Sequence, residues 1–491
     1  MREKARVERS AHGDVNTRYD DLSLECAVPP ARLATAVLEA PPHARTPSRW
    51  AWALLSSSLL VASCSPVLAP IEPVKLGILN PTSGALGSLG PTWEDASRLA
   101  VEQINSAGGL FDGRRLEPIF FDTATLPNRA AEVAREALEE GAVALVGPAS
   151  SGASLATIDV VAGYEVPQVS CCATSPTLTA ADDWFFRTTP NDLLQAKAVA
   201  YVAAQGFEGV VTRSPCPEAA VLYRDDGYGS GLANVFIEAF EGRAIADSAR
   251  TGRIVANVAY ASDFQNLDAT EVASDFAAQF TAAHDSGIDN VCILLVSYPD
   301  DGNAVLRALE PVLATASEDG ATFTHSYLAT DALFDNAFAS LAGGFGLKVL
   351  GTAPTHADNK AYDTFRSAFQ ARFGTEPGNF TSNMYDAVML LGLAITKSRS
   401  TKGSDIRDAL FDVSREGQRF VSDSRGAFFG EMAEALLSGN DIDYVGPAGE
   451  LDFDDNGDVI GDFSLWQPVP GAGGGYEVRE TDFLPYSTFS P

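Results

Sequence analysis

The chain has 491 residues, enough for more than one domain, and an ordinary globular composition with 46% hydrophobic and 20% charged residues. Its formal net charge of −31 argues against nucleic acids and anionic membrane surfaces as partners, because both would repel it. We interpret the acidity as that of a solvated surface.

An apolar stretch near the N-terminus has the features of an export signal. It covers residues 50–62 and is too short to span a bilayer as an ordinary transmembrane helix. Arg45 and Arg49 precede it and small residues follow it, as in a secretory signal peptide. We therefore expect residues 1–63 to be an upstream segment and a signal peptide.

The apolar stretch ends in Val61-Ala62-Ser63-Cys64, which resembles the bacterial lipobox. In that class of signals the cysteine carries a lipid on its sulfur and becomes the first residue of the mature chain. The resemblance implies lipidation of Cys64 and a membrane attachment through the lipid anchor only. A plain signal peptide with a buried cysteine is the alternative.

From residue 74 onward, strand-like and helix-like segments alternate. This alternation predicts an α/β fold with open parallel sheets and helices on both faces, and the length requires two sheets. The predicted strands are residues 74–79, 117–122, 142–146, 166–170, 219–223, 253–260, 290–297, 326–329 and 348–351. The intervening helices are residues 92–107, 128–140, 192–205, 228–241 and 271–286, with others beginning near 303 and 334.

The last part of the chain has a different pattern. Helices are predicted at residues 359–373, 381–398, 404–411 and 428–437 without intervening long strands, and short strands follow at 450–453, 462–466 and 476–479. Consecutive helices of this kind indicate that the chain returns to complete a lobe already begun.

One stretch, residues 147–179, brings hydroxyl groups to the ends of two predicted strands. Ser150 and Ser151 lie where a strand gives way to a helix, and Thr174 lies in the loop after the next strand. Unpaired amides and the helix dipole make a helix N-terminus favourable for an anion. The stretch therefore predicts half of a site for a small carboxylate.

Four cysteines remain beyond Cys64. Cys292 lies in a strongly apolar predicted strand, and we expect a free core thiol there. Cys216 lies in a proline-rich loop, and a disulfide from it to Cys171 or Cys172 stays open.

Two local motifs are too incomplete to support a metal or cofactor site. Residues 452–463 match the first positions of a calcium loop, but Phe463 stands where a bidentate Glu is needed, so we favour a turn. Residues 227–231 resemble a dinucleotide loop with the third glycine misplaced. The sequence also lacks a P-loop, a G-x-S-x-G elbow and an HExxH motif. We therefore expect no metal, no cofactor and no enzymatic activity.

Polar or aromatic residues recur immediately after predicted strands. In open α/β sheets, ligands bind at the edge formed by the carboxyl ends of the strands. The residues at that position are Ser150, Ser151, Thr174, Tyr228, Tyr298 and Asp331.

Several ordered motifs make the chain resemble the type I periplasmic binding proteins, specifically the leucine/isoleucine/valine-binding branch that serves ABC importers. They include VKLGILNPTSGALGSLG, VALVGPASSGAS, VPQVSCCATSPTLT, FFRTTPNDLLQA, AVLYRDDGYGSGLA, SNMYDAVMLL and FDDNGDVIGDFSLWQ. The resemblance implies two Rossmann-like lobes with parallel sheets, joined by three crossovers. Lobe 1 would contain residues 74–189 and 356–445, and lobe 2 would contain residues 190–355 and 446–480.

The same resemblance implies the ligand-binding residues. Ser151 and Thr174 match the serine and threonine that bind the ligand's carboxylate, and backbone contributions are implied at Cys172 and Ala173. The two tyrosines of the second lobe match Tyr228 and Tyr298, the acidic ammonium-binding residue matches Asp331, and Leu89 matches a residue of the side-chain pocket. Many family members have Glu where this chain has Asp331, whose side chain is one methylene shorter.

The resemblance therefore implies a periplasmic, lipid-anchored, monomeric protein that delivers an apolar, branched-chain amino acid to an ABC permease. Two alternatives stay open. The protein could sense a ligand for a signalling receptor, or it could bind another small solute such as an amide, urea or aromatic acid.

Overall fold

The computed structural model describes residues 71–179, 184–208, 213–284, 288, 290–318, 324–355, 360–423 and 426–490. The expected signal peptide and Cys64 lie outside these residues. Within them, no helix combines the length and apolarity needed to cross a membrane.

The first lobe is built on a five-stranded parallel sheet of order β2-β1-β3-β4-β5. Its strands are β1 (Val74–Asn80), β2 (Leu116–Asp122), β3 (Ala142–Val146), β4 (Gln168–Ser170) and β5 (Phe185–Arg187). The helices between them are α1 (Gly90–Ser106), α2 (Pro127–Glu139) and α3 (Ser151–Tyr164).

The second lobe follows helix α4 (Asp192–Gln205) and is built on a seven-stranded sheet of order β15-β14-β10-β9-β8-β6-β7. Five strands are parallel: β6 (Glu218–Asp225), β7 (Arg253–Ala261), β8 (Asn290–Val296), β9 (Thr324–Ala329) and β10 (Val349–Pro354). The helices between them are α5 (Gly229–Phe240), α6 (Ala269–Ala283), α7 (Pro299–Glu318) and α8 (Asn336–Gly344).

The chain then returns to the first lobe with α9 (Lys360–Phe373), α10 (Thr381–Ser398), α11 (Gly403–Ser414) and α12 (Gly426–Leu437). Sixteen consecutive residues of α10 are buried, because this helix packs against α1, α11, α12 and strands β3 and β4. A helix that is buried on all sides belongs to the core of its lobe. Strands β11 (Gln418–Val421), β12 (Ile442–Gly446) and β13 (Gly449–Glu450) form a small third sheet.

The last strands return to the second lobe. β14 (Phe463–Pro470) pairs antiparallel with β10, β15 (Tyr476–Leu484) pairs with β14, and α13 (Tyr486–Phe489) ends the described chain. The parallel sheets, the return of the helices and the return of the terminal strands confirm the predicted α/β fold.

A buried ion pair joins two of the segments that cross between the lobes. Arg187, at the end of β5, is fully buried and donates to both carboxylate oxygens of Asp458 at 2.6 and 2.9 Å. Residues 452–463, considered above as a calcium loop, form a turn in which Asp454 accepts from the amides of Asn456 and Asp458. The carboxylates of this loop therefore stabilise the turn itself and form the ion pair with Arg187.

The free thiol expected at Cys292 is wrong, and the pairing left open for Cys216 has a different partner. Cys292 is not a free thiol, because it forms a disulfide with Cys216 across 76 residues of sequence. Cys171 and Cys172 form a second disulfide between adjacent residues, so neither is available to Cys216. The loop of Cys216 passes beside the start of β8, where Cys292 lies, and the linear sequence does not show this proximity.

Candidate ligand-binding site

Residues from both lobes line one narrow cavity of about 20 Å³, room for about one water molecule. Six of the eight predicted ligand-binding residues line it: Leu89, Ser151 and Cys172 from the first lobe, and Tyr228, Tyr298 and Asp331 from the second. Ala173 and Thr174 do not line it; both are buried in the same loop as Cys172. Additional lining residues are Leu86, Trp93, Ala149, Ala332, Asn379 and Phe380.

The first lobe presents the N-terminus of α3 to this cavity. Ser150 caps the helix, and its hydroxyl oxygen accepts from the amide of Ala153 at 3.4 Å. Ser151 is the first helical residue, and its Oγ accepts from the amide of Ser175 at 3.2 Å. Its hydroxyl proton remains available to an anion, next to first-turn amides that the helix does not use. This corner is suited to a carboxylate.

The loop after β4 uses much of its own hydrogen-bonding capacity. The amides of Cys172 and Ala173 both donate to Ser170 Oγ, at 3.4 and 3.2 Å. The Ala173 carbonyl accepts from Arg187 at 3.1 Å. Cys172 therefore meets the cavity through its side chain, which belongs to the adjacent disulfide.

Two stacked tyrosines form the wall supplied by the second lobe. The rings of Tyr228 and Tyr298 lie 5.5 Å apart and nearly parallel. The guanidinium of Arg224 lies 3.8 Å from the centre of the Tyr298 ring, in a cation–π contact. Arg224 is fixed in turn by ion pairs to Asp226 and Asp301, at 2.7 and 2.5 Å. Both tyrosines are held in place by contacts from within their own lobe.

Asp331 follows strand β9 and is the acidic group of the cavity. Its carboxylate accepts from the Tyr228 hydroxyl at 3.1 Å, and its backbone carbonyl accepts from Asn379 at 2.8 Å. Burial raises the pKa of Asp331 to about 6, although the Tyr228 hydrogen bond opposes this shift. A cationic ligand group beside Asp331 would stabilise the ionised form and lower this pKa.

Sequence reasoning missed the contribution of the segment before α10. Asn379 links the lobes, because its carbonyl accepts from Trp93 of the first lobe while its amide donates to Asp331 of the second. Phe380 is buried and has φ of 57° and ψ of 7°, a left-handed conformation that is costly for a bulky residue. Strain of this kind concentrates at functional sites, but it cannot be detected in a sequence.

A comparison with known protein families identifies the family of this chain. A periplasmic binding protein family profile matches residues 73–431, nearly three quarters of the chain. The chain belongs to the periplasmic binding protein family. It is accordingly a solute-binding protein rather than an enzyme, with the branched-chain amino acid binders among its relatives.

Three individual proteins illustrate the similarity. The Leu/Ile/Val-binding protein BraC3 of Rhizobium johnstonii is 24% identical over 77% of this chain and 93% of its own. The chemotactic signal transduction substrate-binding protein BasB of Halobacterium salinarum is 27% identical over 78% of this chain and 83% of its own. The crystal structure of the leucine-binding protein LivK of Thermotoga maritima superposes with a TM-score of 0.61 at 21% identity, covering 84% of this chain and 99% of that one.

Proposed function

We propose that this protein captures an apolar, branched-chain amino acid between its lobes and delivers it to an ABC permease. The observation that carries the proposal is the pairing of opposite chemistries across one cavity. Ser151 and the N-terminus of α3 offer donors on one side, and the Asp331 carboxylate offers an acceptor on the other. This arrangement complements the two charges of an amino acid zwitterion.

The ligand would be oriented by these two ends. Its carboxylate would accept from Ser151 and the first-turn amides, with Thr174 and the loop of Cys172 and Ala173 completing that side. Its ammonium would pair with Asp331. The apolar side chains of Leu86, Leu89, Trp93, Ala149, Ala332 and Phe380 would surround an aliphatic side chain, and the stacked tyrosines would cover it.

Entry of such a ligand requires motion, because the cavity of about 20 Å³ is far smaller than a leucine molecule. We propose that residues 74–189 with 356–445 move against residues 190–355 with 446–480, hinged at the three crossovers. A zwitterion that contacts both lobes binds the closed form better than the open form, and it therefore shifts the hinge equilibrium toward closure.

We also propose that the protein is extracytoplasmic, monomeric and anchored by a lipid on Cys64. The family and the lipobox-like sequence support this placement. Mass spectrometry of the membrane-extracted protein should find a lipidated N-terminal cysteine, and Cys64→Ser should release the protein from the membrane. A soluble wild-type protein with an unmodified cysteine would contradict the anchor.

A second candidate function is ligand sensing, favoured by the similarity to BasB over 78% of the chain. Uptake of radiolabelled leucine, measured in cells with and without the gene, distinguishes delivery to a permease from ligand sensing. Loss of uptake supports delivery to a permease. Unchanged uptake with a lost chemotactic response supports sensing. Binding of amides or aromatic acids but of no amino acid would replace both with a different solute.

A further inference from the structure

The disulfide between the adjacent residues Cys171 and Cys172 borders the ligand cavity and has no role in the assignment above. Cys171 is fully buried in the hydrophobic core, whereas Cys172 is partly exposed and lines the cavity. One cysteine of the bond is therefore enclosed by the core, and the other faces the space between the lobes.

This disulfide contributes little to the stability of the fold. A disulfide stabilises a protein mainly by restraining the unfolded chain, and the restraint is smallest when the bonded residues are adjacent. The bond between Cys216 and Cys292 spans 76 residues and restrains the unfolded chain far more. The bond between Cys171 and Cys172 therefore calls for an explanation other than stability.

The loop that carries this disulfide is fixed by other contacts. The amides of Cys172 and Ala173 donate to Ser170 Oγ at 3.4 and 3.2 Å, and the Ala173 carbonyl accepts from Arg187 at 3.1 Å. The amide of Thr188 donates to the carbonyl of Ser170 at 3.0 Å, which joins the ends of β4 and β5. None of these hydrogen bonds involves the sulfur atoms, so reduction of the disulfide should leave the backbone of the loop in place.

The two cysteine side chains would respond differently from the backbone. Two bonded sulfur atoms lie much closer together than two thiols, which must separate to van der Waals distance once the bond is broken. Cys171 is fully buried, and a close-packed core leaves its sulfur no room to move. Cys172 would therefore move, and it borders a cavity of about 20 Å³. Reduction thus places a thiol where the ligand has to fit.

We propose that the Cys171–Cys172 disulfide is part of the ligand-binding surface, and that the protein binds its ligand tightly only while this bond is intact. The inference rests on the proposed function and deepens it, because it adds a redox requirement to the same site. In the oxidised protein, the bonded sulfur atoms form an apolar wall against which an aliphatic side chain packs. In the reduced protein, the thiol of Cys172 competes with the ligand for this space.

A dithiol is the class of reductant that would break the bond. Its first thiolate attacks the accessible sulfur of Cys172, forms a mixed disulfide there and releases Cys171 as a thiolate, which takes up a proton. The second thiolate of the reductant then attacks the reductant's own sulfur in the mixed disulfide and releases Cys172, which is also protonated. The protein gains two electrons and two protons, and the dithiol loses both and becomes a disulfide.

The redox state and the ligand affinity are linked in both directions. If reduction weakens leucine binding by a given factor, bound leucine shifts the reduction equilibrium toward the oxidised protein by the same factor. A ligand in the cavity also covers Cys172 and hinders the attack of a reductant on its sulfur. Bound leucine should therefore protect this disulfide from reduction.

The first test is isothermal titration calorimetry of the purified protein with L-leucine, before and after reduction by dithiothreitol. We expect reduction to weaken leucine binding by the wild type at least tenfold. The control is the double variant Cys171→Ala/Cys172→Ala, which retains the Cys216–Cys292 bond. It should bind leucine more weakly than the oxidised wild type, because the sulfur wall is missing, and dithiothreitol should change its affinity less than twofold.

The second test follows the reduction of the bond itself in the wild-type protein. Samples are incubated with dithiothreitol, with and without saturating leucine, and are alkylated at timed intervals. Mass spectrometry of the peptide that contains Cys171 and Cys172 gives the reduced fraction. We expect leucine to slow this reduction at least tenfold, and a rate that leucine does not change would overturn the inference.

Two outcomes separate this inference from the proposed function. An unchanged leucine affinity in the reduced wild type, or an equal loss on reduction in the double variant, would overturn the inference and leave the proposed function standing. Absence of any amino acid binding by the oxidised wild type would instead refute the proposed function, and this inference with it.

Discussion

Replacing Asp331 by asparagine should weaken ligand binding and at the same time raise the free energy of unfolding of the ligand-free protein. Asp331 is 2% exposed, and burial raises the pKa of its carboxyl group from 3.8 to about 6. The pKa of Asp331 is higher in the folded state than in the unfolded state. The folded protein therefore has its full stability below about pH 4, where Asp331 is protonated in both states, and it loses stability as the pH rises through 6. Ionisation at pH 7 therefore costs the ligand-free protein about 3 kcal/mol, at about 1.36 kcal/mol per pKa unit.

The asparagine variant avoids this cost, since its side chain stays neutral. We expect its free energy of unfolding in urea to exceed that of the wild type by about 3 kcal/mol at pH 7 and to equal it near pH 4. Its binding free energy for leucine should weaken by about 3–5 kcal/mol, a factor of about one hundred or more, because the ammonium would be buried without its carboxylate partner.

Urea unfolding at the two pH values and calorimetric titration with leucine test both expectations. Glu310→Gln is the matched carboxyl-to-amide control, because Glu310 does not line the cavity and accepts hydrogen bonds from Tyr327 and His325. The reasoning fails if Asp331→Asn binds leucine within threefold of the wild type. It also fails if the variant is less stable than the wild type at pH 7, since Asp331 would then be a structural residue.

Three further outcomes are expected. Wild-type leucine affinity should be about tenfold weaker at pH 5 than at pH 7, because Asp331 must lose its proton to pair with the ammonium. Calorimetric titration at both pH values tests this expectation, and an affinity that does not change with pH would contradict the raised pKa of Asp331. Replacing Cys216 and Cys292 by serine should lower the free energy of unfolding by about 4 kcal/mol in denaturant titrations, given the 76-residue separation, and an unchanged midpoint would argue against the bond. Asp458→Asn should lower the unfolding free energy by about 3–5 kcal/mol, because Arg187 would remain buried without its counter-charge; a loss below 1 kcal/mol would show that the pair is not a structural tie.

The sequence allowed the fold to be predicted because its strands and helices alternate with clear periodicity. Strand β8 is a long apolar run, so its position in the core followed from composition. The three-residue strand β5 is too short to show any period, and it was missed. Cys292 was wrongly expected to be a free thiol because two cysteines 76 residues apart show no sign of contact in a linear chain.

A site residue could be predicted only where it follows a strand and its side chain also suits the expected ligand. Ser151 and Asp331 satisfied both conditions. The backbone of Phe380 and the cross-lobe hydrogen bonds of Asn379 depend on tertiary contacts that no local pattern encodes.

The most direct test of the central claim is a calorimetric titration of the purified protein with the twenty common amino acids, the keto acid of leucine, and a set of amides and aromatic acids. We predict one-to-one binding of apolar, branched amino acids and no measurable binding of the keto acid. Binding of solutes without an amino group, and of no amino acid, would contradict the assignment of Asp331 and of the site as a whole.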